Sequence, residues 1–285
     1  MSLVSAPKIT IITAVKNDVR GLGVTAKSVL SQNSKDFEWL IVDGQSNDGS
    51  FELANTYLQL DKVRVISAPP KGIYNAMNTG AREAAGAWIW FINAGDFLLT
   101  NSSVTEVVSE ICANRLDHAF ASPVIHFTKS GFIYDLSIPK VYGIRDYIVA
   151  NLNHQGVLVT KKVFYSVGAF DENLRFAADG KFLDKVASEG DFFLSKKFYV
   201  GFAMGGTASR FFRKTLKETN SYRPRSESNL KAASLITKDK LRRILLQLEL
   251  TNTFSAPIHL YLRNRQKTIL RLKQVNIKEE GFKTS

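Results

Sequence analysis

The sequence predicts an α/β chain: a mostly parallel sheet flanked by helices, followed by a basic α-helical C-terminal appendage. Two observations carry this. Apolar runs of strand length alternate with helical patterns through the first hundred residues, and the charge changes character near residue 206. Of the 285 residues, positions 1–206 hold 20 basic and 20 acidic side chains, whereas positions 207–285 hold 18 and 6, so the tail carries the whole net charge of +12.

Taken in order, the runs 9–15, 37–42, 63–68 and 87–92 are rich in Ile, Val and aromatic residues, the composition of strands buried on both faces. Between them, 24–30, 50–58 and 74–85 read as helices. Alternation at this spacing makes βαβ units, whose strands run parallel. Ligands of such sheets bind beyond the carboxyl ends of the strands, which singles out the loops after Val15, Val42, Ala68 and Ile92. A further helix is expected over 103–113. Two strands are expected over 118–136, joined at Lys129, Ser130 and Gly131, and 154–206 should mix short strands with a helix near 178–188. Residues 209–229 are polar and basic, contain Pro224 and read as a linker. Two basic-apolar segments follow; in the first, Leu241, Ile244, Leu245 and Leu248 share one helical face.

Composition excludes several classes. Cys112 is the single cysteine, so there is no intrachain disulfide and no cysteine metal cluster, and a reducing, cytoplasmic setting is the simplest reading. The first apolar run has no basic segment before it and meets Lys16, Asn17 and Asp18 at once, so it reads as a strand and not as a signal peptide. The run 87–92 is far shorter than the roughly 18 residues a membrane-spanning helix needs, so any membrane contact is expected to be peripheral. A basic tail suits an anionic surface such as lipid headgroups, nucleic acid or a phosphorylated acceptor. Its Lys and Arg are interleaved with Leu and Ile and few aromatics are at hand for base stacking, which argues against a nucleic-acid-binding protein.

The motifs narrow the chemistry. Gly21-Leu-Gly-Val-Thr-Ala26, with Asp43 about twenty residues on, matches the dinucleotide fingerprint. That fingerprint needs its first glycine directly after the strand, however, and Lys16 to Arg20 intervene, so the alternative is a glycine-containing loop before a helix. Asp43-Gly-Gln-Ser-Asn-Asp-Gly-Ser50 sets an acid at a strand end, where a carboxylate can accept the imide N–H of a uracil ring or a ribose hydroxyl. Asp48 has a second reading as a helix cap. Lys71, before a glycine and a helix start, is placed to approach a base or phosphate, or else is a solvated loop lysine. Asp96 ends the apolar strand 87–92 and suits a hard divalent cation, which prefers oxygen ligands and keeps waters and substrate phosphates around it.

Together, Thr13-Ala-Val-Lys-Asn17, the Asp43 loop, Lys71-Gly-Ile-Tyr-x-Ala-Met-Asn-x-Gly80 and Asn93-Ala-Gly-Asp96 resemble the family 2 inverting glycosyltransferases, in particular bacterial enzymes of surface-polysaccharide assembly. The resemblance continues through His154-Gln155, Gly168-Ala-Phe-Asp171, Ala178-Asp179 and Gly205-Gly-Thr-Ala-Ser209, covering about residues 7–210. It implies a GT-A (Rossmann-like) fold, with a catalytic domain over 1–206 and a basic linker and helical region over 207–285. The donor half would span about 1–100 and the acceptor half about 101–206. The implied donor is a nucleoside-diphosphate sugar, UDP-linked by preference, bound by Thr13, Val15, Asn17, Asp43, Ser46, Asp48, Lys71, Gly72, Asn75, Asn93 and Ala94. Asp96 would hold Mn²⁺ or Mg²⁺, with His154 as a possible further ligand. Asp179 would be the base, Asp184 its fallback, and His154 and Gln155 would line the acceptor side. The implied acceptor is a lipid-diphosphate-linked saccharide in O-antigen, capsule or exopolysaccharide synthesis, met at the inner face of the cytoplasmic membrane through the tail. Where the family often reads Asp-x-Asp, Gly95 supplies no carboxylate, and Gly180 and Lys181 stand where an aromatic or acid is more usual. A nucleotidyltransferase would share the sheet and metal but needs a glycine-rich basic first loop, of which Lys16-Asn-Asp-Val-Arg20 is a weak version.

Overall fold

A computed structural model of the chain describes residues 8–128, 133–139, 152–203 and 212–222. The chain divides into two compact units, Met1–Arg223 and Pro224–Ser285, and every described residue lies in the first. The two basic-apolar tail segments and the Gly205–Ser209 motif fall outside the described residues.

The first strands form where the apolar runs stand: β1 (Ile9–Val15), β2 (Phe37–Asp43), β3 (Val63–Ser67) and β4 (Trp88–Phe91). β1 pairs in parallel with β2 on one side and β4 on the other, and β3 continues the sheet beyond β2. Strand order thus reverses at β1, the place where an open α/β sheet forms a ligand crevice at the carboxyl ends of its strands. The crossovers are α1 (Val19–Leu30), α2 (Ser50–Thr56) and α3 (Ile73–Glu83). Alternate strand residues feed two cores, since successive side chains point to opposite faces. Ile12, Leu40 and Val42 pack with Met77 and Ala81 of α3, and Ile9, Ile11, Trp39 and Ile41 with Leu22 and Val29 of α1. Each fully buried side chain of this size contributes about 1.5–3 kcal/mol, so the strands that carry the site loops are firmly held.

Helix α1 begins at Val19, ahead of the expected 24, because the Asp18 carboxylate caps it by accepting the Gly21 N–H at 2.9 Å. Gly21 and Gly23 therefore lie within a helix. They form neither a phosphate-binding turn nor a loop, which removes the dinucleotide reading.

Past Asp96 the chain makes β5 (Phe97–Leu98) and α4 (Ser103–Ala113). Three strands then stand where two were expected: β6 (Ala119–Ala121), β7 (Val124–Phe127) and β8 (Ile133–Ser137). The break falls at Ser122-Pro123, where a residue without an N–H ends the ladder, and it moves the chain from one sheet to another. A 3-10 turn (His154–Gly156) leads to β9 (Val157–Thr160), α5 (Lys161–Ser166), α6 (Ala178–Glu189), β10 (Phe192–Leu194) and β11 (Val200–Ala203). The main sheet has the order β10-β6-β9-β4-β1-β2-β3, with β9 antiparallel to both neighbours. A smaller sheet, β5-β11-β7-β8, borders the Asp96 turn. Finally, Phe212–Tyr222, expected as linker, form helix α7.

Candidate active site

At the carboxyl end of β2, Asp43 is 1% exposed. Its Oδ2 accepts the Ser46 N–H at 2.9 Å, and its buried Oδ1 has no partner. A buried carboxylate oxygen left unpaired costs about 1–3 kcal/mol or more, so this atom can take a further donor. Ser46 and Asn17 join the first two loops: the Asn17 N–H donates to Ser46 Oγ at 2.9 Å, and Asn17 Oδ1 accepts the Asn47 N–H at 2.9 Å. Asn17 holds φ +52° to do so. Asp48 serves the loop itself. It accepts the Ser50 hydroxyl (2.5 Å), the Ser50 N–H (3.0 Å) and the Val19 N–H (3.0 Å), and the Ser50 hydroxyl holds its carboxyl below the usual value. The helix-start reading of Asp48 is therefore the one the geometry matches.

Thr13 does not reach the crevice. Fully buried, it donates its hydroxyl to the Ile92 carbonyl at 2.6 Å and accepts the Trp39 indole N–H at 2.9 Å. The register of β1 between β2 and β4 turns this side chain inward, so it fastens three strands together instead of meeting a nucleotide. Val15, also buried, contributes its carbonyl, which accepts the Gly44 N–H at 2.8 Å.

Beyond β4 the turn Asn93-Ala-Gly-Asp96 closes on α1, where Thr25 Oγ1 donates to the Asp96 carbonyl at 2.7 Å and accepts the Gly95 N–H at 3.1 Å. The Ala94 N–H donates to the Ala14 carbonyl at 3.2 Å. Gly95 sits at φ +94°, a conformation that an aspartate there would enter only with strain. The Asp96 side chain is 4% exposed and accepts the Gln155 amide N–H at 3.1 Å and the Ala203 N–H at 3.3 Å. Burial pushes its carboxyl up to about 7. Gln155, expected on the acceptor side, is instead 4% exposed behind Asp96, its carbonyl accepting the Trp90 indole N–H at 2.7 Å.

The neighbouring His154 faces the other way. Asn93 Oδ1 meets the Ala14 N–H at 3.4 Å, so its amide N–H is directed at His154 Nε2 at 3.3 Å. The ring proton then sits on Nδ1, 3.2 Å from Asp179 Oδ2. Asp179 Oδ1 accepts the Tyr74 hydroxyl at 3.0 Å. Burial opposes a charge on Asp179, but the bonds from His154, the Gly180 N–H and Tyr74 outweigh it and hold the carboxyl below the usual range. Burial and the Asp179 charge push the Tyr74 hydroxyl far above its ordinary value, so it stays a donor. One polar run thus links Asn93, His154, Asp179 and Tyr74. Asp184, five residues along α6, is rotated by about 140° from Asp179 at 3.6 residues per turn and does not share this cluster.

Gly72 precedes α3 at φ +114°, Lys71 is exposed, and Asn75 donates to Glu172 Oε2 at 2.7 Å. Glu172 Oε1 also accepts the Asn78 amide at 2.9 Å. Neither Tyr74 nor Glu172 stands out in the sequence as a site residue: Tyr74 lies within the stretch Lys71–Gly80, but nothing local marks it as a partner of a carboxylate at position 179. Among the described residues no group of three or more His, Cys, Asp or Glu is close enough to hold a metal. A cation here would rest on Asp96, whose oxygens keep unused lone pairs, with water and substrate phosphates completing its shell. Such a donor set fits Mg²⁺ or Mn²⁺, and a buried carboxylate gains from a cation beside it.

A crevice at the strand reversal, one buried carboxylate with an unpartnered oxygen and a second held between two elements define an α/β protein with a polar site at the carboxyl ends of its strands. The chain belongs to glycosyl transferase family 2, whose pattern matches residues 10–171. It is 27% identical over 183 residues to the PGL/p-HBAD biosynthesis glycosyltransferase of Mycobacterium bovis, covering 62% of this chain and 69% of the relative. In fold it is similar to S. aureus TarS 1-349 in complex with UDP-GlcNAc, with TM-score 0.59, 17% identity, and coverage of 71% of this chain and 60% of that one. It is also similar to the mannosyltransferase PcManGT of Pyrobaculum calidifontis in complex with GDP-Man and Mn²⁺, with TM-score 0.59, 14% identity, and coverage of 94% and 81%.

Proposed function

We propose that the chain is an inverting glycosyltransferase that moves a hexose or N-acetylhexosamine from a UDP-sugar to a hydroxyl of a lipid-diphosphate-linked saccharide, in the assembly of a surface polysaccharide. The observation that carries this reading is the run from Asn93 through His154 to Asp179, which couples the turn of the buried Asp96 to a carboxylate kept ionised. In the proposed reaction the acceptor oxygen attacks the anomeric carbon, the bond from that carbon to the diphosphate oxygen breaks, and the hydroxyl proton passes to Asp179. His154 and Tyr74 orient that carboxylate. Asp96 would hold the cation, which when bound stabilises the charge developing on the leaving diphosphate. The donor preference rests on Asp43: with one oxygen taken by Ser46, it has one left for the single ring N–H of uracil, whereas guanine presents a pair of donors. TarS complexed with UDP-GlcNAc agrees with this preference, and PcManGT complexed with GDP-Man is the counterexample to weigh it against.

Asp179→Asn should abolish transfer while leaving the UDP-sugar dissociation constant within about twofold; unchanged turnover would remove Asp179 as base. Among the described residues no helix is long and apolar enough to cross a membrane. The basic segment 207–285 is proposed to bring the enzyme to anionic headgroups at the inner face of the cytoplasmic membrane. Sedimentation with anionic vesicles, before and after deletion of residues 229–285, tests this, and equal binding by both forms rejects it.

A further inference from the structure

Helix α6 carries Asp179 in its first turn but has no side-chain cap of its own: Ala177, at the N-cap, makes no such bond. The first N–H groups of a helix have no partner within it and need an acceptor from elsewhere. Glu218 on α7 serves the residues that lead into the helix, Arg175 to Ala177, of which Ala177 stands at the N-cap. One carboxylate oxygen accepts the Arg175 N–H at 3.0 Å, and the other accepts the Phe176 N–H at 2.7 Å and the Ala177 N–H at 3.1 Å. A carboxylate at this end also meets the positive pole of the helix. The residues it holds are themselves packed away, Phe176 at 8% and Ala177 at 3% exposure.

A second contact points the same way. The Tyr222 hydroxyl, one turn after Glu218, lies 2.9 Å from where a Cβ on Gly180 would stand, so α7 reaches the residue next to Asp179. The Lys181 ammonium is 5.9 Å from the Tyr222 ring centre and 2.7 Å from Asp171. Helix α7 is thus applied to the first turn of α6, although it lies past residue 171, where the family match ends.

We infer that Glu218 is a positioning residue of the transfer reaction: from α7 it fixes the start of α6, and through it the direction of the Asp179 carboxylate toward Tyr74, His154 and the acceptor hydroxyl. This rests on Asp179 being the base. Without the three bonds the segment that leads into α6 loses its anchor and the helix start can shift, and a displacement of about 1 Å in a reacting group costs on the order of a hundredfold in rate. Donor binding should change little, because the bonds that hold the Asp43 and Asp96 carboxylates come from Ser46, Gln155 and Ala203 and not from α6 or α7.

The test uses the full chain with Glu218→Ala and Glu218→Gln, measuring kcat, UDP-sugar Kd by calorimetry and the thermal melt. Glu218→Ala should lower kcat by about 10- to 100-fold with Kd within about twofold. Glu218→Gln should lose less, since one amide oxygen still accepts the Phe176 and Ala177 N–H groups. A folded Glu218→Ala with kcat within about twofold of the parent overturns the inference, as does a parallel loss of kcat and donor affinity in both variants. If Glu218→Ala does not fold, Glu218→Gln is judged by the same criteria, and failure of both to fold assigns Glu218 to stability alone and rejects the positioning role. Asp179→Asn is assayed beside them. Unaltered turnover there refutes the base, whereas a kcat effect confined to the Glu218 variants would show that the cap acts through some other group.

Discussion

Replacing Asp96 by Asn should flatten the pH dependence of stability in the absence of added divalent cation. In the native state burial raises this carboxyl from an ordinary 3.8 to about 7, so between those values the folded protein keeps a proton that the unfolded chain has released. For an acid raised on folding, the stabilising protonated form is fully present below pH 3.8 and is lost as the pH climbs through about 7. At 1.36 kcal/mol per pH unit, a window of this width is worth about 4 kcal/mol. Asn carries no charge at any pH and avoids that loss. Its carbonyl can accept the Ala203 N–H now bound to Asp96, and the Gln155 amide, which now donates to Asp96, can turn its oxygen toward the new amide. Thermal melts of both proteins from pH 4 to 8 in a chelator check this. At about 2–4 °C per kcal/mol for a unit of this size, the difference between variant and parent should grow by about 10 °C from the acid to the alkaline end. Parallel melting curves would refute the argument that Asp96 is a charge held at a cost until a cation joins it. UDP with Mn²⁺ should narrow the gap by stabilising the parent more than the variant, which keeps Asp43 but lacks the carboxylate for the cation.

Two further substitutions separate the residues that meet a nucleotide from those that hold the sheet. Asp43→Asn should weaken UDP binding by about 10- to 100-fold, the worth of a hydrogen bond to a charged group, because the amide must keep its oxygen for the Ser46 N–H and then points N–H groups where Asp43 Oδ1 stands open; calorimetry measures it, and a change below about threefold would move the base site elsewhere. Thr13→Val should do the reverse. It strands the Trp39 indole N–H and the Ile92 carbonyl in the core, at about 1–3 kcal/mol each, with UDP affinity unchanged; a stable variant with weakened UDP binding would restore Thr13 to the donor site.

The strands and their acidic ends were legible because each rests on a local pattern. A run buried on both faces is apolar throughout, and Asp43 and Asp96 stand out as charges where such runs stop. What escaped depends on pairings that sequence does not order. Thr13 and Val15 sit two apart on one strand, and only the register of β1 against β2 and β4 turns the Thr13 hydroxyl into the core. His154 and Gln155 are adjacent, yet the 3-10 turn sends one to Asp179 and the other to Asp96. Helix α7 read as linker because its inward face, Thr215, Glu218, Thr219 and Tyr222, is mostly polar. Hydrophobic periodicity finds helices that bury oil, and this one is tied on through a carboxylate.

The environments of Asp96 and Asp179 diverge in a way that bears on the mechanism. Burial raises one carboxyl, and donors lower the other despite burial. Carboxylates pushed apart in this manner commonly divide tasks. A lowered value makes Asp179 a weak base, and a base is most effective with its pKa near the working pH, which tells against the assignment if the hydroxyl must be deprotonated before it attacks. The conflict dissolves if the proton moves late. Once the oxygen has begun to bond to a carbon bearing positive charge, its proton is strongly acidic, and what the site then needs is an acceptor that is always ionised and correctly aimed. Three donors, His154, Tyr74 and the Gly180 N–H, secure the charge of Asp179 at the expense of its basicity, and the cap on α6 secures its direction. On this reasoning the rate depends on where the carboxylate points more than on how basic it is.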